Sequence, residues 1–191
     1  MSIGLWVRGA RPKTLVTSIA SVMVGAVMAY VHIERSGTCI AIYPEPASCA
    51  TAREQQTLLM DRFWPVTILC LLVALFLQIA VNYANDYSDG IRGTDAGRDM
   101  DESKSGKPQR LTASGLVPAK HVLFAAMICA AIACICGVVA VVLAQAWWLL
   151  AVGVASLLAG WFYTGGKHPY GYVGLGEVGV FLFFGLSLIH I

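Results

Sequence analysis

Trp64-Pro-Val-Thr-Ile-Leu-Cys-Leu-Leu-Val-Ala-Leu-Phe-Leu-Gln-Ile-Ala-Val81 runs without a break into Asn82-Tyr-Ala-Asn85-Asp86-Tyr-Ser-Asp89-Gly90-Ile-Arg-Gly93-Thr-Asp95. The first stretch is almost wholly apolar, and roughly 20 such residues make a helix that crosses a bilayer. The second sets carboxylates at the edge of that span, where charge is costly and tied to function. If the helix continues past Val81, then Asn82, Asn85, Asp86 and Asp89 fall at successive i+3 and i+4 steps, on one face. Gly90 and Gly93 are then expected to end the helix and let Asp95 fold back towards it. Hard oxygen ligands grouped this way suit Mg²⁺, and Mg²⁺ on few protein ligands usually also holds a phosphate. The expected metal ligands are therefore Asn85, Asp86, Asp89 and Asp95. Asp86 and Asp89 are also the candidate catalytic carboxylates, with a diphosphate as the expected substrate group.

Composition agrees with a membrane chain. Of 191 residues, 58% are hydrophobic and 13% charged, whereas a soluble domain carries about 25% charged residues. The apolar residues form blocks at about 15–31, 63–82, 120–143, 146–164 and 178–191. The first four are long enough to span with some tilt. The fifth stops at Leu188-Ile-His-Ile191 with no polar flank. The expectation is a single all-α transmembrane domain over 1–191, a polytopic helical bundle with about five helices present, truncated at its C-terminal end. A net charge of +2 is too small to imply nucleic acid as a partner. No small-residue cleavage site marks a secretory leader.

Charge also sets an expected orientation. Arg8, Arg11, Lys13, Arg92, Arg98, Lys104, Lys107, Arg110, Lys120 and Lys167 gather on one side of the blocks, and Arg35, Arg53 and Arg62 on the other. The positive-inside rule puts the N-terminus, the Asp-rich loop 83–119 and the loop 165–177 in the cytoplasm of a cell (inner) membrane protein. The loop 32–62 then faces outward. Its Cys39 and Cys49 would pair if that face is oxidising. Cys70, Cys129, Cys134 and Cys136 lie in apolar runs and read as small packing residues.

Three further segments carry chemistry. Lys104-Ser-Gly-Lys107-Pro-Gln-Arg110-Leu-Thr-Ala-Ser114-Gly115 sets Lys104, Lys107 and Arg110 beside the carboxylates, where they would neutralise a diphosphate. Arg11-Pro-Lys-Thr14 offers Lys13 as a further cationic contact or, equally, a topological anchor. Tyr163-Thr-Gly165-Gly166-Lys167-His168-Pro169, followed by Gly174-Leu-Gly-Glu177, reads as a shaped loop. Aromatic faces there would stabilise a carbocation, or serve only as an interfacial belt. Asp99, Asp101 and Glu102 read as loop surface.

Taken together, these segments resemble the UbiA-type intramembrane aromatic prenyltransferases. Four elements match in order: Arg11-Pro-Lys-Thr14; Asn82-x-x-Asn85-Asp86-x-x-Asp89-Gly-x-x-Gly93-x-Asp95; Arg110-Leu-x-Ala-Ser-Gly115; and Tyr163-Thr-Gly-Gly with Pro169-x-Gly-Tyr172-x-Gly-Leu-Gly-Glu177. The spacing to Asp95 and the last element favour the branch that acts on 1,4-dihydroxy-2-naphthoate in menaquinone biosynthesis. The resemblance implies a Mg²⁺-dependent transfer of a polyprenyl group from polyprenyl diphosphate to that ring, with loss of CO₂, giving demethylmenaquinone. It implies a cavity open to membrane lipid. It also implies substrate contacts from Asn82, Lys13, Lys104, Lys107, Arg110 and Lys167, with Tyr163 facing the allylic cation and Glu177 on the acceptor. The chain departs from the family pattern at Lys167-His168, in a longer 32–62 loop, and in lacking a second Asp-rich motif. A sibling acceptor such as 4-hydroxybenzoate is the enzyme alternative. A membrane Mg²⁺ transporter or channel subunit is the alternative of another class, although cations beside the carboxylates oppose it.

Overall fold

A computed structural model of the chain describes residues 3–37, 46–93 and 110–164. These residues form five helices: α1 (Ile3–Gly9), α2 (Pro12–Ser36), α3 (Pro46–Arg92), α4 (Ala119–Ala144) and α5 (Trp148–Thr164). No strand occurs among the described residues. The helical bundle expected from the apolar blocks is what forms.

The helix α2, residues Cys49–Arg92 of α3, and α4 are each long and apolar enough to cross a membrane. They mark a multi-pass membrane chain. Many large apolar side chains face outward: Val16, Val24, Met28 and Ile135 are each about two-thirds exposed. In water this would be an aggregation hazard, but beside lipid tails it carries no penalty. The helix α5 has 17 residues. At ~1.5 Å per residue it is ~25 Å long, somewhat short of the ~30 Å hydrocarbon core. The apolar block at 178–191 lies outside the described residues.

Two boundaries differ from expectation. Residues 32–62 are not mainly a loop. The helix α2 runs to Ser36, and α3 begins at Pro46. The reason is in Ala50-Thr-Ala-Arg-Glu-Gln-Gln-Thr-Leu-Leu-Met60: these are good helix formers, and a polar helix leaves no apolar run to find. Likewise α3 passes through Gly90 and ends at Arg92, with Gly93 in the left-handed region at φ 69°. Gly93 alone supplies the stop. Cys49 is disulfide-bonded; Cys39 lies outside the described residues.

The chain divides into two compact units. One draws on Ala10–Ala80 and Met127–Trp147. There the end of α2 lies along α3. Tyr30 meets Phe63 edge-on at 5.6 Å between ring centroids, and Gln56 Nε2 donates to the Glu34 carbonyl at 3.2 Å. The pairing of 30 with 63 and 34 with 56 is antiparallel. At the far end of α4, Gln145 takes the left-handed conformation (φ 56°), and the amides of Gln145 and Ala146 close back onto the Val142 and Val141 carbonyls. This is a Schellman cap made without glycine.

The other unit draws on Met1–Gly9, Val81–Ala126 and Trp148–Ile191. Here α1 is pinned to the end of α3. The rings of Trp6 and Tyr83 meet edge-on at 5.6 Å, and the Tyr83 hydroxyl donates to the Trp6 carbonyl at 2.9 Å. Its small core is Leu111, Val117, Val122 and Ala126, with the first three at most 1% exposed. Gly9 sits against this core: a Cβ there would run into Leu111 Cγ and Cδ1 and approach Tyr83 Cε1 to 3.2 Å. Since Leu111 is fully buried, it has nowhere to move. Overpacking of this kind costs roughly 1–3 kcal/mol. We expect Gly9→Ala to lower the thermal midpoint of the detergent-solubilised protein clearly. Gly25→Ala, where nothing lies within 4 Å, serves as the control, and its midpoint should stay at or slightly above that of the parent.

Candidate functional site at the end of the third helix

The last turns of α3 bury their polar face. Asn82 is 4% exposed and Asp86 2%, while Asn85 and Asp89 are half-buried. The helix thus carries all four residues on successive turns, as their spacing implies. What covers the face is the chain that returns at Arg110. The Leu111 amide donates to Asp86 Oδ2 and the Thr112 amide to Asp86 Oδ1, both at 2.9 Å. Both carboxylate oxygens are therefore held by main-chain donors of one turn. Each charge-assisted bond of this kind contributes about 1.5–3 kcal/mol.

The turn itself is tightly specified. The Ser114 hydroxyl donates to the Arg110 carbonyl and, at 3.3 Å, to that of Leu111. Gly115 sits at φ 69° and its amide reaches the Thr112 carbonyl at 3.1 Å. The Val117 amide closes onto the Leu111 carbonyl at 3.2 Å. The Pro118 carbonyl then accepts from the His121 and Val122 amides to start α4. Gly90 lets the turn lie flat on α3, because a Cβ at 90 would overlap Thr112 Cβ and Cγ2. That contact, and not helix termination, is what its missing side chain provides.

One helical step beyond Asp86, Arg110 Nη1 lies 3.9 Å from Asp89 Oδ2. Both side chains keep some exposure, 16% for Arg110 and 23% for Asp89. A guanidinium and a carboxylate at this separation attract each other as an ion pair. Thr112 Oγ1 is buried beside them and has no hydrogen-bond partner among the described residues.

The structure thus brings Asn82, Asn85, Asp86, Asp89 and Arg110 into one region. Lys13 stands exposed in the first turn of α2, in the other unit. Before it, Arg11 takes φ 53°, and its carbonyl accepts from both the amide and the hydroxyl of Thr14 at 2.9 Å. Tyr163 belongs to α5. Asp95, Lys104, Lys107, Lys167 and Glu177 lie outside the described residues. Among the described residues, no three carboxylate, His or Cys side chains come together as a metal-binding group. The amides of Leu111 and Thr112, the seat at Gly90 and the Trp6–Tyr83 pin were not foreseen from sequence. Main-chain donors have no residue signature, although a glycine one step past Asp89 marks a close approach.

Residues 57–189 match the UbiA prenyltransferase family. The chain is 41% identical over 184 residues to the 1,4-dihydroxy-2-naphthoate octaprenyltransferase of Mycobacterium tuberculosis (strain ATCC 25618 / H37Rv), covering 96% of this chain and 51% of that protein. It is 38% identical over 188 residues to the protein of the same name from Mycobacterium leprae (strain TN), covering 98% and 52%. It is 30% identical over 191 residues to that of Escherichia coli (strain K12), covering 94% and 49%. The chain spans about half the length of the curated relatives it matches. No solved structure matches it. A family match over more than half of the chain, on the segment that carries the acidic helix end and the Arg110 turn, establishes that the chain belongs to the UbiA prenyltransferase family.

Proposed function

We propose that the protein transfers a polyprenyl group from polyprenyl diphosphate to 1,4-dihydroxy-2-naphthoate, with this chain forming part of one prenyltransferase domain. The observation that carries the reading is the juxtaposition of Asp89 with Arg110 at 3.9 Å, at the end of a membrane-length helix, in a chain whose named relatives are naphthoate octaprenyltransferases. A cation pathway would not set a guanidinium against its acidic mouth, which disfavours the transport reading. Another aromatic acceptor, such as 4-hydroxybenzoate, stands as the second enzyme reading.

The donor set suits Mg²⁺. Asp89 and Asn85 lie one turn apart on α3, and Mg²⁺ typically takes one or two carboxylates plus substrate phosphates. Asp95 would complete the protein side. When bound, the metal supplies Lewis-acid neutralisation of the diphosphate. Arg110 would bind a non-bridging diphosphate oxygen as charge grows on the leaving group, the usual role of a preorganised cation. Lys104 and Lys107 would add point charges at the same rim, with Lys167 as an outer contact. Tyr163 would face the allylic carbon, and Glu177 would orient the acceptor or take its proton. The C–O bond to diphosphate breaks and a C–C bond to the ring forms, with CO₂ leaving the substituted position. In this reading the N-terminus and the 83–119 segment face the cytoplasm.

Asp89→Ala in the full-length protein should abolish transfer while membrane insertion survives. Near-normal turnover at limiting Mg²⁺ would rule out the role. Arg110→Ala should lower kcat/KM about ten- to a hundred-fold, the loss of one charge-assisted phosphate contact. Arg98→Ala, with the same change of charge, should do much less, and equal small effects would leave Arg110 a topological charge. Membranes given polyprenyl diphosphate, Mg²⁺ and either acceptor should form product with 1,4-dihydroxy-2-naphthoate. Product from 4-hydroxybenzoate alone would move the assignment to the sibling branch.

A further inference from the structure

We propose that Asp86 is a positioning residue: it holds the Arg110–Gly115 turn by its main chain and thereby sets Arg110 opposite Asp89, without itself contacting metal or diphosphate. This refines the proposed prenyl transfer and rests on it for its kinetic form.

Three observations carry it. Both Asp86 oxygens accept amide hydrogen bonds at 2.9 Å, from Leu111 and Thr112, and the residue is only 2% exposed. A carboxylate so enclosed has its charge met by two N–H dipoles and no open approach for a hydrated ion, whereas Mg²⁺ gives up its waters reluctantly. Asp89, one turn on, retains 23% side-chain exposure. Second, the donors are the two residues directly after Arg110. A grip on their amides fixes the backbone from which the guanidinium projects. Third, the turn is braced beyond these two bonds. Thr112 rests on the bare Cα of Gly90, and Ser114 bonds back to the Arg110 carbonyl. The two carboxylates, three positions apart on one helix, therefore have different work. Asp86 anchors the loop and Asp89 meets the ligand.

The test uses the full-length protein in membranes. Asp86→Asn is isosteric, but it removes the charge and turns an NH₂ towards one of the two amides. It should raise KM for polyprenyl diphosphate about tenfold, on the scale of a lost charged contact, while the Mg²⁺ concentration for half-maximal rate shifts less than about twofold. Asp89→Asn should shift that Mg²⁺ concentration about tenfold or more. If Asp86 acts through Arg110, the Asp86→Asn, Arg110→Ala double variant should be no worse than Arg110→Ala alone. Gly90→Ala leaves the carboxylate intact and pushes the turn off α3 through Thr112, so it should reproduce the raised KM. A Mg²⁺ shift for Asp86→Asn matching that of Asp89→Asn overturns the proposal, as do additive losses in the double variant. Amide hydrogen exchange over residues 110–115 reads the hold without any assay of transfer. It should accelerate in Asp86→Asn and not in Asp89→Asn, and unchanged exchange in Asp86→Asn overturns the proposal. If the parent protein prenylates no aromatic acceptor but the exchange result holds, the functional reading fails and the anchoring role stands.

Discussion

A buried carboxylate at the rim of a bilayer must find donors inside the protein, because neither lipid nor water will serve it. Asp86 finds them in the amides of Leu111 and Thr112. Much of the surrounding geometry follows from that need. The chain that returns to the membrane at Arg110 must fold into a turn whose N–H groups point at α3. The turn must come close, which excludes a side chain at position 90. It must then reverse into α4, which Gly115 in the left-handed region permits. The apolar half of the same turn, Leu111 and Val117, closes over the core and keeps water from competing for the carboxylate. Polar satisfaction and apolar burial here are two sides of one short segment.

The charge arrangement has its own logic. Asp89 and Arg110 compensate each other at 3.9 Å, close enough to limit the desolvation penalty. A closed bidentate pair would resist a substrate, since its two groups would first have to be separated. In the proposed function the pair would part as a metal–diphosphate ligand arrives, the carboxylate turning to the cation and the guanidinium to the anion.

The helices were legible because an apolar run of membrane length has one stable outcome in lipid. The polar continuation of α3 to Arg92 was legible only as a pattern, in the spacing of Asn82, Asn85, Asp86 and Asp89. Residues 46–62 escaped because their helicity rests on propensity and not on apolar periodicity. Gly90 was read as a helix stop when it is a seat, since a glycine reports missing bulk without saying which demand removed it. The grouping of Asp86, Asp89 and Arg110 was anticipated from charge complementarity. The split between an anchored and an open carboxylate was not, since it depends on two main-chain amides that any residue except proline would offer.

That last point bears on how this region would vary among related sequences. The bonds to Asp86 are indifferent to the side chains at 111 and 112. Substitution there leaves the donors in place, unless proline removes one. The acceptor has no such freedom, because few side chains can receive two adjacent amides. One end of the contact is thus chemically fixed and the other is free to drift for unrelated reasons: packing at 111, fit against Gly90 at 112. Methods that infer proximity from correlated changes would see invariance at 86 and no covarying mate, and would miss the contact on which the loop's return depends.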